Sequence, residues 1–184
     1  MKNPKNKGNN FERKISKKLS LWWSSGERED IFYRTHSSGA RFTNRYMKDK
    51  TIIENQTGDI MSSAEDGFLF ISFFTVECKH YKFLNFWSLI DKPTKDNLYF
   101  WWIKLKEQCE LNNTNPFLIV KQNNRPELLF VNEFTYKHIL KKLKLNNIMY
   151  FNTFEDSIHV YKFEDILKVE SSKLKNILEM NKNE

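Results

Sequence analysis

The stretch that decides the fold runs from Thr57-Gly58-Asp59-Ile60 to Val76-Glu77-Cys78-Lys79. Between the two lie a polar cluster, Ser62-Ser63-Ala64-Glu65-Asp66-Gly67, and an apolar run from Phe68 to Val76. That order reads as strand, turn, strand. Alternate residues of a strand share a face, so Glu77 and Lys79 point one way and Cys78 the other. A hairpin of this kind sets Asp59 beside Glu77. Two carboxylates and an ammonium then converge at the end of a buried sheet, where unpaired charge is costly. A divalent cation and a phosphate group would offset that cost. The plainer reading is an exposed cross-strand Glu77–Lys79 pair worth roughly a few tenths of a kcal/mol.

An acid on one strand followed by Glu-X-Lys on the next resembles the signature of the PD-(D/E)XK nuclease superfamily. Here the residues are Asp59 and then Glu77-Cys78-Lys79. Lys7-Gly8-Asn9-Asn10-Phe11-Glu12-Arg13 is similar to the opening helix of archaeal and phage Holliday-junction resolvases and phage endonucleases. Arg34-Thr35-His36-Ser37-Ser38-Gly39-Ala40-Arg41 resembles the loop after their first strand, and Pro116 to Pro126 a later strand and turn. The likeness covers about residues 7–131. A lone Glu-X-Lys carries little weight; the ordered set of four elements is more specific. Gly58 stands where the family usually has proline.

The resemblance implies an α/β fold with a restriction-endonuclease-like core, a central mixed β-sheet flanked by helices. It implies Asp59 and Glu77 as direct ligands of Mg²⁺ or Mn²⁺, with the Cys78 backbone carbonyl as a third. Glu12 would act through water or on a second ion. Its plainer reading is a solvated helix face. Lys79 would orient or deprotonate the attacking water and contact the scissile phosphate. A divalent cation held there lowers the pKa of water and offsets charge in the transition state. Gln108, with Lys104 on the same helix flank, stands where the family often has a polar residue that holds water or phosphate. Lys121 interrupts an apolar strand and therefore pairs with an acid or faces the site. Arg34, His36, Ser38, Arg41, Arg45 and His80 complete the expected phosphate contacts, which provide affinity rather than sequence specificity. An ordinary charged surface is the alternative for each.

The 184 residues carry a net charge of +7, which suits a polyanionic partner. Sixteen Phe and five Trp leave much apolar surface to bury. The two cysteines, Cys78 and Cys109, read as buried thiols in a reducing compartment, and no zinc spacing occurs. The N-terminus lacks the apolar core of a signal peptide, and the longest apolar run is too short for a membrane span. The chain therefore reads as soluble and cytoplasmic.

Along the chain, residues 1–9 read as a flexible basic arm and 10–184 as one nuclease-like domain. Phe11, Ile15, Leu19 and Trp22 lie on one stripe of a helix over 10–23, with Glu12 about 100° from Phe11 on the helical wheel. Residues 31–35 form a first strand. A helix from about Thr94 to Leu111 buries Leu98, Trp101, Trp102, Leu105 and Cys109. It is apolar nearly all round, since Tyr99, Phe100 and Ile103 point elsewhere, and so calls for cover, for which a homodimer is the expectation. The tryptophan pairs Trp22-Trp23 and Trp101-Trp102 read as core or interface rather than base-stacking platforms. Strands at 117–121 and 128–132, a helix over 133–144, strands near 148–154 and 158–163 and a terminal helix follow. Three functions fit: a metal-dependent endodeoxyribonuclease like the phage resolvases, acting on DNA with or without branches; a DNA-binding module of the same fold that does not cut; and a restriction-like or RNA-directed nuclease.

Overall fold

The computed structural model describes residues 4–35, 58–89, 98–153 and 156–182. Helix α1 (Pro4–Trp23) opens the chain and starts at Pro4, a residue suited to a helix's first turn, so it extends through much of the expected arm. Its buried stripe is Phe11, Ile15, Leu19 and Trp23. Trp23 takes the place foreseen for Trp22, whose indole instead donates to the Val169 carbonyl at 2.6 Å. Ser16 and Ser20 are buried on the same helix, small enough to admit strand β1 (Phe32–Arg34). The Ser20 hydroxyl accepts from the Phe32 N–H at 2.8 Å. Strand β2 (Ile60–Ser62) pairs antiparallel with β1, Arg34 opposite Ile60.

The expected hairpin is not what joins β2 to the Glu77 strand. Helix α2 (Glu65–Phe73) intervenes, and strand β3 is confined to Phe74–Tyr81. With only Ser72 and Thr75 polar, the run has no alternation from which to read a strand, and residues 68–73 hold one β-branched residue, Ile71. Glu65 and Asp66 occupy the first turn, where the helix dipole favours negative charge. As a helix, the run places Phe70 at the centre of an aromatic cluster. Its ring lies 5.1–5.4 Å from those of Trp23, Phe32, Phe74 and Phe117, mostly edge-on.

From β3 the chain passes through a short 3₁₀ turn (Phe86–Leu89) to α3 (Leu98–Asn112) and into β4 (Asn115–Gln122). Strands β3 and β4 are parallel, as such a crossover requires, with Glu77 opposite Leu118. Strand β5 (Glu127–Asn132) returns antiparallel. The expected helix over 133–144 is shorter, a turn of α4 (Glu133–Thr135) continued by a π-helical turn (Tyr136–Leu140). Strands β6 (Met149–Asn152) and β7 (Ser157–Lys162) complete a five-stranded mixed sheet in the order β3-β4-β5-β7-β6. Helices α5 (Phe163–Leu167) and α6 (Ser171–Lys182) close the chain.

Each face of the sheet has its own core. Val76, Cys78, Phe117, Ile119, Leu129 and Val131 pack with α1 and α2, while Leu118, Val120, Phe130 and Val160 pack with α3. Tyr99 is 6% exposed, and Phe100 and Ile103 pack partly buried against the second core. The surplus apolar surface of α3 is therefore covered largely within the chain, which removes the reason for expecting a second copy there. No helix among the described residues is long and apolar enough to cross a membrane. Truncating the hub ring, Phe70→Ala, should cost about 3–5 kcal/mol of stability, measured by denaturant unfolding. A loss under ~1 kcal/mol would place the centre of this core elsewhere.

Candidate active site

The site is built at the outer edge of β3. Residue Asp59, just ahead of β2, docks on that edge by two hydrogen bonds. Its N–H donates to the Val76 carbonyl at 2.7 Å, and its Oδ2 accepts the Cys78 N–H at 2.9 Å. Asp59 is 3% exposed. The N–H and carbonyl of a strand residue point to the same side, so the Cys78 carbonyl also lies on the edge that receives Asp59. This docking, not a hairpin, brings Asp59 to Glu77.

Gly58 is what permits so close an approach. Its φ is +93°, and a Cβ built on it would sit 2.6 Å from the Val76 carbonyl oxygen. Proline, with φ held near −65°, could not take this conformation. The departure from the Asp-preceding proline therefore has a steric cause.

Glu77 and Lys79 share the face of β3 that α3 covers, and they pair directly with each other. Burial first, and then the charge of Asp59, push the Glu77 carboxyl up to about 7 despite Lys79. Burial works against the charge of Lys79, but Glu77 and then Asp59 outweigh it and hold the ammonium protonated well above its usual range. In this arrangement the Lys79 ammonium donates a hydrogen bond to Glu77.

Glu12 arrives from the flank of α1 and is half-buried. Its Oε2 accepts from Arg34 Nε at 2.8 Å, and Arg34 Nη2 reaches Asn9 Oδ1 at 3.2 Å. Burial raises the Glu12 pKa, and Asp59 adds to the rise while Arg34 and Lys79 oppose it. Glu12, Asp59, Glu77 and Lys79 thus feel one another. Arg34, expected as a phosphate contact, is spent on Glu12 and Asn9, and nothing in the sequence of Asn9 announced that link.

The other expected residues divide. His80 faces away from Glu77 and Lys79, against the Phe11 ring at 5.3 Å and with Nε2 3.1 Å from Asn123 Oδ1. Burial and the nearby Lys7 lower its pKa. Lys121 takes the first of its two alternatives. Its ammonium donates to the Arg125 carbonyl at 2.6 Å and lies 4.0 Å from Glu127, which Lys14 and Lys18 also bind. Gln108 stands on α3, over the sheet face of Glu77, and its backbone carbonyl accepts from Asn112. Lys104 forms an exposed pair with Glu107. His36, Ser38, Arg41 and Arg45 lie outside the described residues. Cys78 and Cys109 are buried free thiols.

Among the described residues no group of three or more His, Cys, Asp and Glu side chains is arranged to hold a metal ion. Each carboxylate here is engaged by a different donor: Asp59 by the Cys78 N–H, Glu77 by Lys79, Glu12 by Arg34. The donor set nevertheless fits a hard divalent cation, being carboxylate oxygen. Burial raises both Glu77 and Glu12, and Asp59 adds to each rise, a cost that such an ion would offset.

This sheet, its flanking helices and the edge-docked acid define a restriction-endonuclease-like core. The model of a family described as "Phage putative PDDEXK endonuclease" matches residues 3–183, and the chain belongs to that family. No curated protein matches the chain. No solved structure matches it.

Gly58→Ala should cost at least ~1–3 kcal/mol in thermal unfolding, from its positive φ and the clash with Val76; unchanged stability would show that the docked strand does not need the glycine. Because the folded-state pKa of Glu77 is raised, its contribution to stability is fully present below about 4.5 and lost as pH climbs to about 7. Metal-free protein should therefore lose thermal stability across that window, and Mg²⁺ should raise the Tm at pH 7.5. In Glu77→Gln the Mg²⁺ effect should vanish.

Proposed function

We propose that this chain is a metal-dependent endodeoxyribonuclease that hydrolyses phosphodiester bonds, with branched DNA of the kind resolvases cut as its substrate. The observation that carries the reading is the docking of Asp59 on the edge of β3, beside Glu77 and Lys79. Membership of the phage endonuclease family supports it.

Asp59, Glu77 and the Cys78 carbonyl are the residues proposed to hold Mg²⁺ or Mn²⁺, with Glu12 as an outer participant. When bound, the ion supplies a lowered pKa for water and a counter-charge for the phosphoryl oxygens. Glu77 exchanges its pairing with Lys79 for that role. Lys79, freed from Glu77, donates to a phosphate oxygen and fixes the approach of the attacking water. Arg34 pairs with Glu12 and fixes its position beside the site. The family setting, the free buried thiols and the net positive charge support a soluble, intracellular enzyme that works on a polyanion.

A second reading has an observation of its own. Each site carboxylate is matched to its own donor within the chain, which favours a fold that binds DNA and leaves it intact. Supercoiled plasmid and a synthetic four-way junction, incubated with Mg²⁺, Mn²⁺ or EDTA, separate the two. Metal-dependent cutting that Lys79→Ala reduces at least ~100-fold is the expected result. Binding without cutting would establish the silent module, and cutting that persists in EDTA would sink the metal requirement.

A further inference from the structure

The catalytic strand does not end at Lys79. Residues 77, 79 and 81 alternate onto one face, and Tyr81 lies about 7 Å beyond Lys79 at the ordinary strand rise. The Tyr81 ring packs on Trp101 of α3, centroids 4.5 Å apart and inclined by 31°. Trp101 is 9% exposed, so it forms a fixed backing, while Tyr81 is 40% exposed.

Two more aromatic rings follow. Phe83 and Trp87 are each 73% exposed. The segment that carries them is anchored, not loose. The Leu84 N–H donates to Gln122 Oε1 at 3.1 Å, Phe86 lies along Phe130, and Leu89 is buried. The Ser88 hydroxyl donates to the Asn85 carbonyl at 2.7 Å and accepts the Leu98 N–H. Inward residues pin the backbone, and the rings between them face solvent. Lys82 sits over Phe83, 5.2 Å from its centroid.

We propose that Tyr81, seated on Trp101, stacks an unpaired base next to the scissile phosphate, and that Phe83 and Trp87 extend this platform. The proposal rests on the nuclease reading and narrows its substrate to DNA whose bases are exposed: single strands, gaps and the open centres of branches. Bases in an intact duplex present no free face to a ring. Exposed aromatic rings beside basic groups are how proteins bind unpaired nucleic acid, because every base has a π face and every phosphate a charge. A second copy of the chain is the poorer occupant. A stable dimer buries about 800 Å² per partner in an apolar patch, whereas this row is interrupted by Lys82 and the exposed Asn85.

The test uses the full-length protein with a gapped duplex carrying 2-aminopurine in the gap, beside the same duplex without a gap. With Ca²⁺, wild-type protein should quench the gap fluorophore. Tyr81→Phe should keep the quench and Tyr81→Ala should lose it, with both variants melting cooperatively. With Mg²⁺, wild-type protein should cut the gapped substrate at least about tenfold faster than the intact one, and in Tyr81→Ala that ratio should fall towards one. Equal cutting of both substrates by wild-type protein, or a quench unchanged in Tyr81→Ala, would overturn the proposal. So would a concentration-dependent dimer in sedimentation that Trp87→Ala abolishes. Should Tyr81→Ala fail to fold, the Phe83→Ala and Trp87→Ala double variant carries the same comparison. A wild-type quench with no cutting under any metal would end the nuclease reading yet leave the stacking site standing.

Discussion

The edge of β3 is the constraint on which the site depends. An edge strand presents unpaired N–H and carbonyl groups, and this chain fills part of that edge with its own residue 59. One hydrogen bond to Val76 and one from Cys78 convert a sheet edge into a binding site for a carboxylate. The consequence reaches outward. The approach demands a residue without Cβ at position 58, and the Thr35 N–H, which donates to the Asp59 carbonyl, ties the end of β1 to the docked segment ahead of β2.

Electrostatics then follow from burial. Glu77, Asp59 and Glu12 are held close together in a poorly hydrated corner, opposed by Lys79 and Arg34. The result is a set of ion pairs that is satisfied but not relaxed: Glu77 stays elevated even with an ammonium on it. Proteins rarely keep such an arrangement for stability alone, since breaking or desolvating buried pairs costs more than a well-packed apolar replacement. Three carboxylates against one ammonium and one guanidinium leave a net negative charge of the kind a divalent cation would offset.

Away from the site the same residue classes serve packing. Glu127 gathers Lys14, Lys18 and Lys121 around one buried carboxylate, tying α1 to the β4–β5 hairpin. Burial opposes its ionisation, and Lys18 and Lys14 more than compensate, so its pKa falls. His159, also buried, stacks on Tyr136 at 3.9 Å and pairs with Glu133. Charge in an interior position is thus not by itself the mark of a site; what distinguishes Glu77 is that its neighbours leave it raised.

Much of this was legible in the chain alone, and the reasons are local. Alternation placed Glu77 and Lys79 on one face, helical spacing placed Phe11, Ile15 and Leu19 on another, and the flank position of Glu12 followed from the same wheel. The mixed sheet followed from apolar runs separated by turns and helices. Periodicity could not divide Phe68–Val76 into helix and strand, because a run with only Ser72 and Thr75 polar shows no clear period. Nor could it foresee that Arg34 would be taken by Glu12, or that Tyr81 would find Trp101 beneath it, since those partners are distant in sequence. The types of residue that meet are written in the sequence; which of them share a hydrogen bond depends on long-range docking, whose register only the folded sheet edge sets.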